Sequence, residues 1–301
     1  MTDFYYFPSA PTSALGESPL IHLAHANGYP PECYRALAAQ LTPLGPVCAY
    51  LSRPLQPDQP PHHLRDWGEL ADDMATALLP LAAQRPLIGI GHSLGGMMTL
   101  IAAARHPTLF HALVVIDPVL FPPWLSIANS IVKSLGLTDR LTPLIPATLR
   151  RRRQFASREA MFANYRPKPV FARLSDSALW DYVDSMALPQ ADGTVTLRYP
   201  PEWEAQVYRT MPHDGWRYPR RIRQPLLILR GEHTDTFFHP AAARLQRQVP
   251  GAVYHTVPNT GHLLPLESPE VVGQLIVEFL TPRIATPPHK HKLAEYHTGL
   301  G

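Results

Sequence analysis

Between Leu87 and Gly96 the chain reads Leu87-Ile88-Gly89-Ile90-Gly91-His92-Ser93-Leu94-Gly95-Gly96, an apolar run introduced by Pro86 that ends in Gly-x-Ser-x-Gly. An Ala-rich helical pattern from Met97 to Arg105 follows at once, so the order is strand, tight turn, helix. A residue held on so sharp a turn takes strained dihedrals, and side chains two positions to either side would strike the crossing backbone. Gly91 and Gly95 remove those collisions. The turn lifts the hydroxyl of Ser93 above the sheet edge, and the amide of Leu94, at a helix N-terminus, is free to donate to an oxyanion.

The surrounding pattern alternates strand and helix, as a doubly wound sheet requires. Phe4 to Phe7 reads as a short edge strand and Ser9 to Ser18 as loop. Leu20 to His25, Val47 to Leu51, Ala112 to Ile116, Leu226 to Leu229 and Ala252 to Val257 are short apolar runs, the mark of parallel strands covered on both faces. Pro30-Pro31-Glu32 opens a helix whose buried stripe is Tyr34, Leu37 and Leu41. Asp66 is placed to cap a second helix, in which Trp67, Leu70, Met74, Leu78 and Leu81 recur at helical spacing. Between Pro118 and Leu226 the pattern breaks into helical stretches rich in aromatics and proline, far more chain than a crossover needs.

On the elbow residues Gly91-His92-Ser93-Leu94-Gly95 the chain resembles the α/β-hydrolase superfamily, serine-nucleophile esterases and lipases that carry a cap, and the resemblance extends from about Pro19 to Leu280. It implies a mostly parallel, doubly wound sheet with a helical cap inserted between two core strands. The expected division is a core of residues 1–117 and 218–281, a cap of 118–217 and a flexible tail of 282–301. It also implies a triad in the order Ser, acid, His. His262, in Gly261-His262 after the last strand and shortly before Ser268-Pro269, is the expected base. Asp235, a few residues beyond Gly231, is the expected acid, with Glu232 and Asp117 as rivals, since some relatives place the acid after the earlier strand. The amides of Leu94 and Asn27 are the expected oxyanion donors, although Ala26 stands where the family more often has glycine. His25, His92, Phe121 and Trp124 are expected to line the substrate pocket.

Composition narrows the partners. A formal net charge of +3, with no basic run beyond Arg150 to Arg153, makes nucleic acid a poor candidate. The arginine run reads as a solvated surface, with recognition of an anionic group as the alternative. Cys33 and Cys48 have neither metal-ligand nor redox spacing and read as buried small hydrophobes. No apolar run is long enough to span a bilayer, and the start lacks the form of a secretion signal, so a cytoplasmic protein is expected. The 35 prolines, about twice the usual share, stiffen loops and point to raised thermal stability. The chemistry expected is hydrolysis of a small apolar carboxylic ester through an acyl-enzyme, as in a carboxylesterase, with no metal or organic cofactor. Lactone, thioester or carbon-carbon hydrolysis on the same triad, and a non-catalytic receptor, are the alternatives. The oligomeric state is left open.

Overall fold

The computed structural model describes residues 3–8, 18–212 and 214–284, the side chains of Pro123 and Asn129 excepted. The loop expected over Ser9 to Ser18 therefore lies almost wholly outside the described residues, as does the expected tail from residue 285 onward.

Along the chain the strands are Phe4–Tyr6 (β1), Leu20–Ala24 (β2), Val47–Tyr50 (β3), Leu87–His92 (β4) and Ala112–Ile116 (β5). After them come three short strands, Gln154–Phe155 (β6), Ala187–Pro189 (β7) and Val195–Leu197 (β8), then Leu226–Gly231 (β9) and Val253–Val257 (β10). Seven of these form one sheet in the order β1-β3-β2-β4-β5-β9-β10, parallel throughout except for β1, which runs antiparallel to β3 at the edge. Residues of β2, β3, β4 and β5 are buried without exception, which explains why their sequences do not alternate. β10, on the opposite edge, leaves His255 and Thr256 exposed.

The helices of the first half are Arg35–Leu41 (α1), preceded by a 3₁₀ turn at Pro31–Tyr34, Trp67–Ala82 (α2) and Leu94–Arg105 (α3). Tyr34, Leu37 and Leu41 are fully buried, as their spacing predicts. Asp66 caps α2 by accepting from the Gly68 amide at 2.5 Å. Ladder residues Trp67, Leu70, Met74 and Leu78 are buried, and Leu81 is partly so.

The interval between β5 and β9 holds the small antiparallel sheet β6-β8-β7 and six helices: Pro123–Ser134 (α4), Thr138–Leu141 (α5), Leu144–Leu149 (α6), Arg158–Tyr165 (α7), Asp176–Met186 (α8) and Pro201–Arg209 (α9). Its own core is aromatic. Tyr165, Phe171 and Tyr182 meet with ring centroids 4.9 to 5.4 Å apart. It grips the first half of the chain through Arg35–Asp181 and Arg198–Glu32 ion pairs, both at 2.8 Å, and through Cys33 Sγ, 3.0 Å from Ser185 Oγ. Both cysteines are free and buried, and burial pushes the Cys48 thiol up to about 12.

The chain closes with His239–Gln248 (α10), Leu264–Glu267 (α11) and Pro269–Ile284 (α12). α12 runs three residues into the segment expected as tail. Among the described residues no helix is long and apolar enough to cross a membrane.

Candidate active site

Ser93 stands between β4 and α3 with φ 55° and ψ −117°, a conformation that L residues adopt only under constraint. The constraint is close packing. A Cβ on Gly91 would lie 2.3 Å from the Gly95 carbonyl oxygen, and one on Gly95 would lie 2.0 Å from the Ala24 carbonyl oxygen, so no other residue fits either place. The Ser93 amide donates to the Ile116 carbonyl at 3.0 Å, tying the elbow to the end of β5.

Ser93 Oγ lies 2.9 Å from Nε2 of His262, and Nδ1 of the same ring lies 2.7 Å from Oδ2 of Asp117. The expected serine and histidine thus meet, but the acid beside the histidine is Asp117, not Asp235. Asp235 is exposed, and its carboxylate accepts from the neighbouring Thr236 hydroxyl at 3.1 Å. Glu232, the other rival, is exposed and accepts from the Asn259 amide at 2.8 Å. Asp117 is fully buried, with φ 44°, directly after β5. Its Oδ1 accepts from the Gly231 amide at 3.2 Å, and its Oδ2 also accepts from the Thr234 hydroxyl at 2.5 Å. The loop after β9 therefore supplies donors to the carboxylate in place of a carboxylate of its own. β5 and β9 are adjacent parallel strands, so either strand end could hold the acid. Only the packing of the two loops distinguishes them.

Leu94 is the first residue of α3, so its amide has no partner within the helix. Asn27 follows β2 and lines the same cavity as Ser93 and Leu94. That cavity, about 500 Å³, is walled by Trp67, Val119, Phe121, Val207, Tyr208 and Met211 on the apolar side. Arg173, His233, Asp235 and Glu267 stand on the side of His262, where Arg173 donates to the Asn259 carbonyl at 3.3 Å and Glu267 accepts from the Gly261 amide at 2.6 Å.

Of the four expected pocket residues, only Phe121 lines this cavity. Trp124 is 69% exposed on α4 and is not part of the cavity lining. His25 and His92 are buried, and their hydrogen bonds show why. His92 Nε2 lies 2.8 Å from the His262 carbonyl oxygen, which can only accept, so Nε2 carries the proton. Nδ1 is then bare and accepts from the Tyr34 hydroxyl at 2.8 Å, and Tyr34 in turn accepts from the Ala26 amide at 3.0 Å. One directed chain thus joins the Ala26–Asn27 loop, the strand before the elbow and the loop bearing His262. His25 is fixed in the same manner, with Nδ1 donating to the Ala26 carbonyl at 2.9 Å and Nε2 accepting from Ser52 at 2.8 Å. Desolvation holds His25 near 4 and His92 well below the usual imidazole range. Neither ring is free to meet a ligand. Nothing in the local pattern marks Tyr34 or Thr234 for these roles, because their partners are far away in sequence.

Comparison with families of known proteins matches residues 23–275 to the alpha/beta hydrolase family. The chain belongs to that family. This hydrolase is 28% identical over 232 residues to a 2-(acetamidomethylene)succinate hydrolase of Mesorhizobium japonicum, a match covering 74% of this chain and 76% of the relative. Among solved structures it resembles that of an E-2-(acetamidomethylene)succinate hydrolase, with a TM-score of 0.72, 23% identity and coverage of 88% of this chain and 92% of the other. It also resembles an esterase of Mycobacterium tuberculosis, with a TM-score of 0.68, 19% identity and coverage of 88% and 86%. At these identities the structural likeness speaks for the fold of the hydrolase alone.

Proposed function

We propose that this protein is a serine hydrolase that cleaves carboxylic esters through an acyl-enzyme, with Ser93 as nucleophile, His262 as general base and acid, and Asp117 as the orienting carboxylate. The observation that carries the reading is the unbroken contact from Ser93 Oγ through the His262 ring to the buried Asp117, opening on a largely apolar cavity.

In the first step His262 Nε2 takes the Ser93 proton as Oγ bonds to the ester carbonyl carbon, and the carbonyl electrons move to its oxygen. The amides of Leu94 and Asn27 receive that oxyanion, each such donor being worth on the order of 10² to 10³ in rate. Asp117 fixes the tautomer of His262 and stabilises the imidazolium that forms. Collapse of the intermediate expels the alcohol, which takes the proton from Nε2. Water, deprotonated by the same nitrogen, then attacks the acyl-Ser93 carbonyl, and the acid leaves as the serine recovers its proton. The apolar wall of Trp67, Phe121, Val207 and Met211 suits a small or medium acyl chain. Residues 118–217 act as the cap that completes this wall.

A second reading keeps every residue and changes the bond cleaved, to a lactone, a thioester or a carbon-carbon bond beside a ketone. The relative from Mesorhizobium japonicum, named for hydrolysis of a substituted succinate, supports this second reading.

The test is hydrolysis of a chain-length series of p-nitrophenyl esters by wild type and Ser93→Ala. The expected result is turnover by wild type and a loss on the order of 10⁶ in the variant. Normal turnover by Ser93→Ala overturns the mechanism. A folded wild type that cleaves no ester transfers the weight to the second reading.

A further inference from the structure

The arginine run that reads as a solvated surface contains one residue that is nothing of the kind. The Arg151 guanidinium is buried against the Glu204 carboxylate and donates to the hydroxyls of Tyr165 and Tyr182 at 3.2 and 2.9 Å. Arg153 pairs with exposed Glu202, and Arg152 lies over the Phe155 ring, 4.9 Å from its centroid. The buried pair fixes α9 just where it meets the loop after β2. The Glu204 carboxyl carbon lies 3.1 Å from the point a Cβ on Gly28 would occupy, and Gly28 takes φ 78°. On the other side of this contact, the Asn27 side chain is held at both ends. Its Nδ2 donates to the Glu204 carbonyl at 3.1 Å, and its Oδ1 accepts from the Tyr199 hydroxyl at 2.9 Å.

We infer that Tyr199 and the Arg151–Glu204 pair are positioning residues: they clamp the Asn27 side chain so that the Asn27 amide meets the oxyanion. The inference rests on the proposed role of that amide. A residue in a loop cannot present its amide reproducibly unless its own dihedrals are held, and here the side chain supplies the hold, 177 and 172 residues distant in sequence from these two partners, with Tyr208 hydrogen-bonded to the same side chain. The clamp comes entirely from the segment between β5 and β9, which therefore does more than wall the cavity. Ground-state binding uses the apolar wall, whereas the clamp acts only on the charge that develops on the carbonyl oxygen. Loss of the clamp consequently lowers kcat and leaves KM unchanged.

The experiment compares wild type, Tyr199→Phe, Asn27→Ala and the double variant on p-nitrophenyl butyrate, together with inhibition by an alkyl trifluoromethyl ketone, whose adduct with serine carries the oxyanion. Tyr199→Phe removes one hydroxyl and keeps the ring. It is expected to lower kcat by about tenfold, a fraction of what loss of a whole oxyanion donor does, with KM within about twofold and inhibitor affinity reduced by the same factor as kcat. Asn27→Ala lowers kcat further, and the double variant is no slower than Asn27→Ala, because Tyr199 acts through the side chain already removed. Wild-type kcat and inhibitor affinity in Tyr199→Phe, or multiplied losses in the double variant, overturn the inference. Ser93→Ala in the same series separates the two readings. If Ser93 is required and Tyr199→Phe is silent, the clamp alone fails; if Ser93 is not required, the hydrolase mechanism fails with it.

Discussion

Asp117 Oδ2 lies 2.7 Å from His262 Nδ1 across 145 residues of sequence, and the carboxylate that makes this contact has no exposure to solvent. A buried carboxylate with three donors cannot turn away from the ring, so it fixes which nitrogen of His262 is free to face Ser93.

The two acidic candidates are therefore predicted to separate cleanly. Asp117→Asn presents an amide to Nδ1 and favours the wrong tautomer, and kcat should fall by on the order of 10⁴. Asp235→Asn touches only an exposed carboxylate and should change kcat less than about threefold. Steady-state kinetics on one ester decides it, and the reverse ranking would restore Asp235 as the acid.

Thr234 is the residue by which the loop after β9 reaches the Asp117 carboxylate. Thr234→Val keeps the shape and deletes the donor to Asp117 Oδ2, leaving a buried carboxylate with one partner fewer. A stability loss of about 1 to 3 kcal/mol in urea unfolding is expected, accompanied by a lower kcat. A variant as stable and as active as wild type would show that the hydroxyl contributes nothing.

Three buried imidazoles set the response to acid. Desolvation, the largest cause in each case, holds His22 near 3, His25 near 4 and His92 well below the ordinary imidazole value. Between those values and about 6.5 the unfolded chain binds protons that the folded chain refuses, so folding stability rises with pH across this window. It is fully present above about 6.5 and is lost progressively as pH falls towards 4, with a limiting slope of about 1.4 kcal/mol per pH unit for each histidine. Urea midpoints measured from pH 7.5 down to 4.5 should decline. A flat profile would mean that these rings are protonated in the folded state.

The Arg151–Glu204 pair provides a test of what buried charge does in the inserted segment. Arg151→Met leaves Glu204 with its charge uncompensated, and a loss of about 3 to 5 kcal/mol is expected. Arg151→Met combined with Glu204→Met removes both charges and should be markedly more stable than the single variant. Thermal unfolding of the two proteins checks this, and equal melting temperatures would show that the pair is not the anchor of α9.

The elbow was legible because its requirement is local. Ser93 needs φ 55° and two neighbours without a Cβ, and both of those positions, Gly91 and Gly95, lie within the motif, although the oxygen that forbids a Cβ at Gly95 belongs to Ala24 of β2. The buried strands, the α2 ladder and its Asp66 cap were legible for the same reason: strand burial and helical spacing are written in consecutive residues. The approach of His262 to Ser93 was legible because His262 follows the last strand of a known topology. What the sequence could not convey is which of two neighbouring strand ends turns a carboxylate inward. β5 and β9 lie side by side, both are followed by acidic residues, and the choice of Asp117 over Asp235 depends on how the two loops pack against His262. The same holds for His25 and His92. Their positions beside Asn27 and Ser93 suggest a pocket wall, yet Ser52, Tyr34 and the His262 carbonyl draw both rings into the interior. Patterns of period and turn chemistry determine local structure, and with it the strained turn that holds Ser93. The carboxylate beside His262, the partner of Arg151 and the hydrogen bonds of the Asn27 side chain are set by contacts between residues more than 50 apart in the chain, and those arise only in the folded tertiary structure.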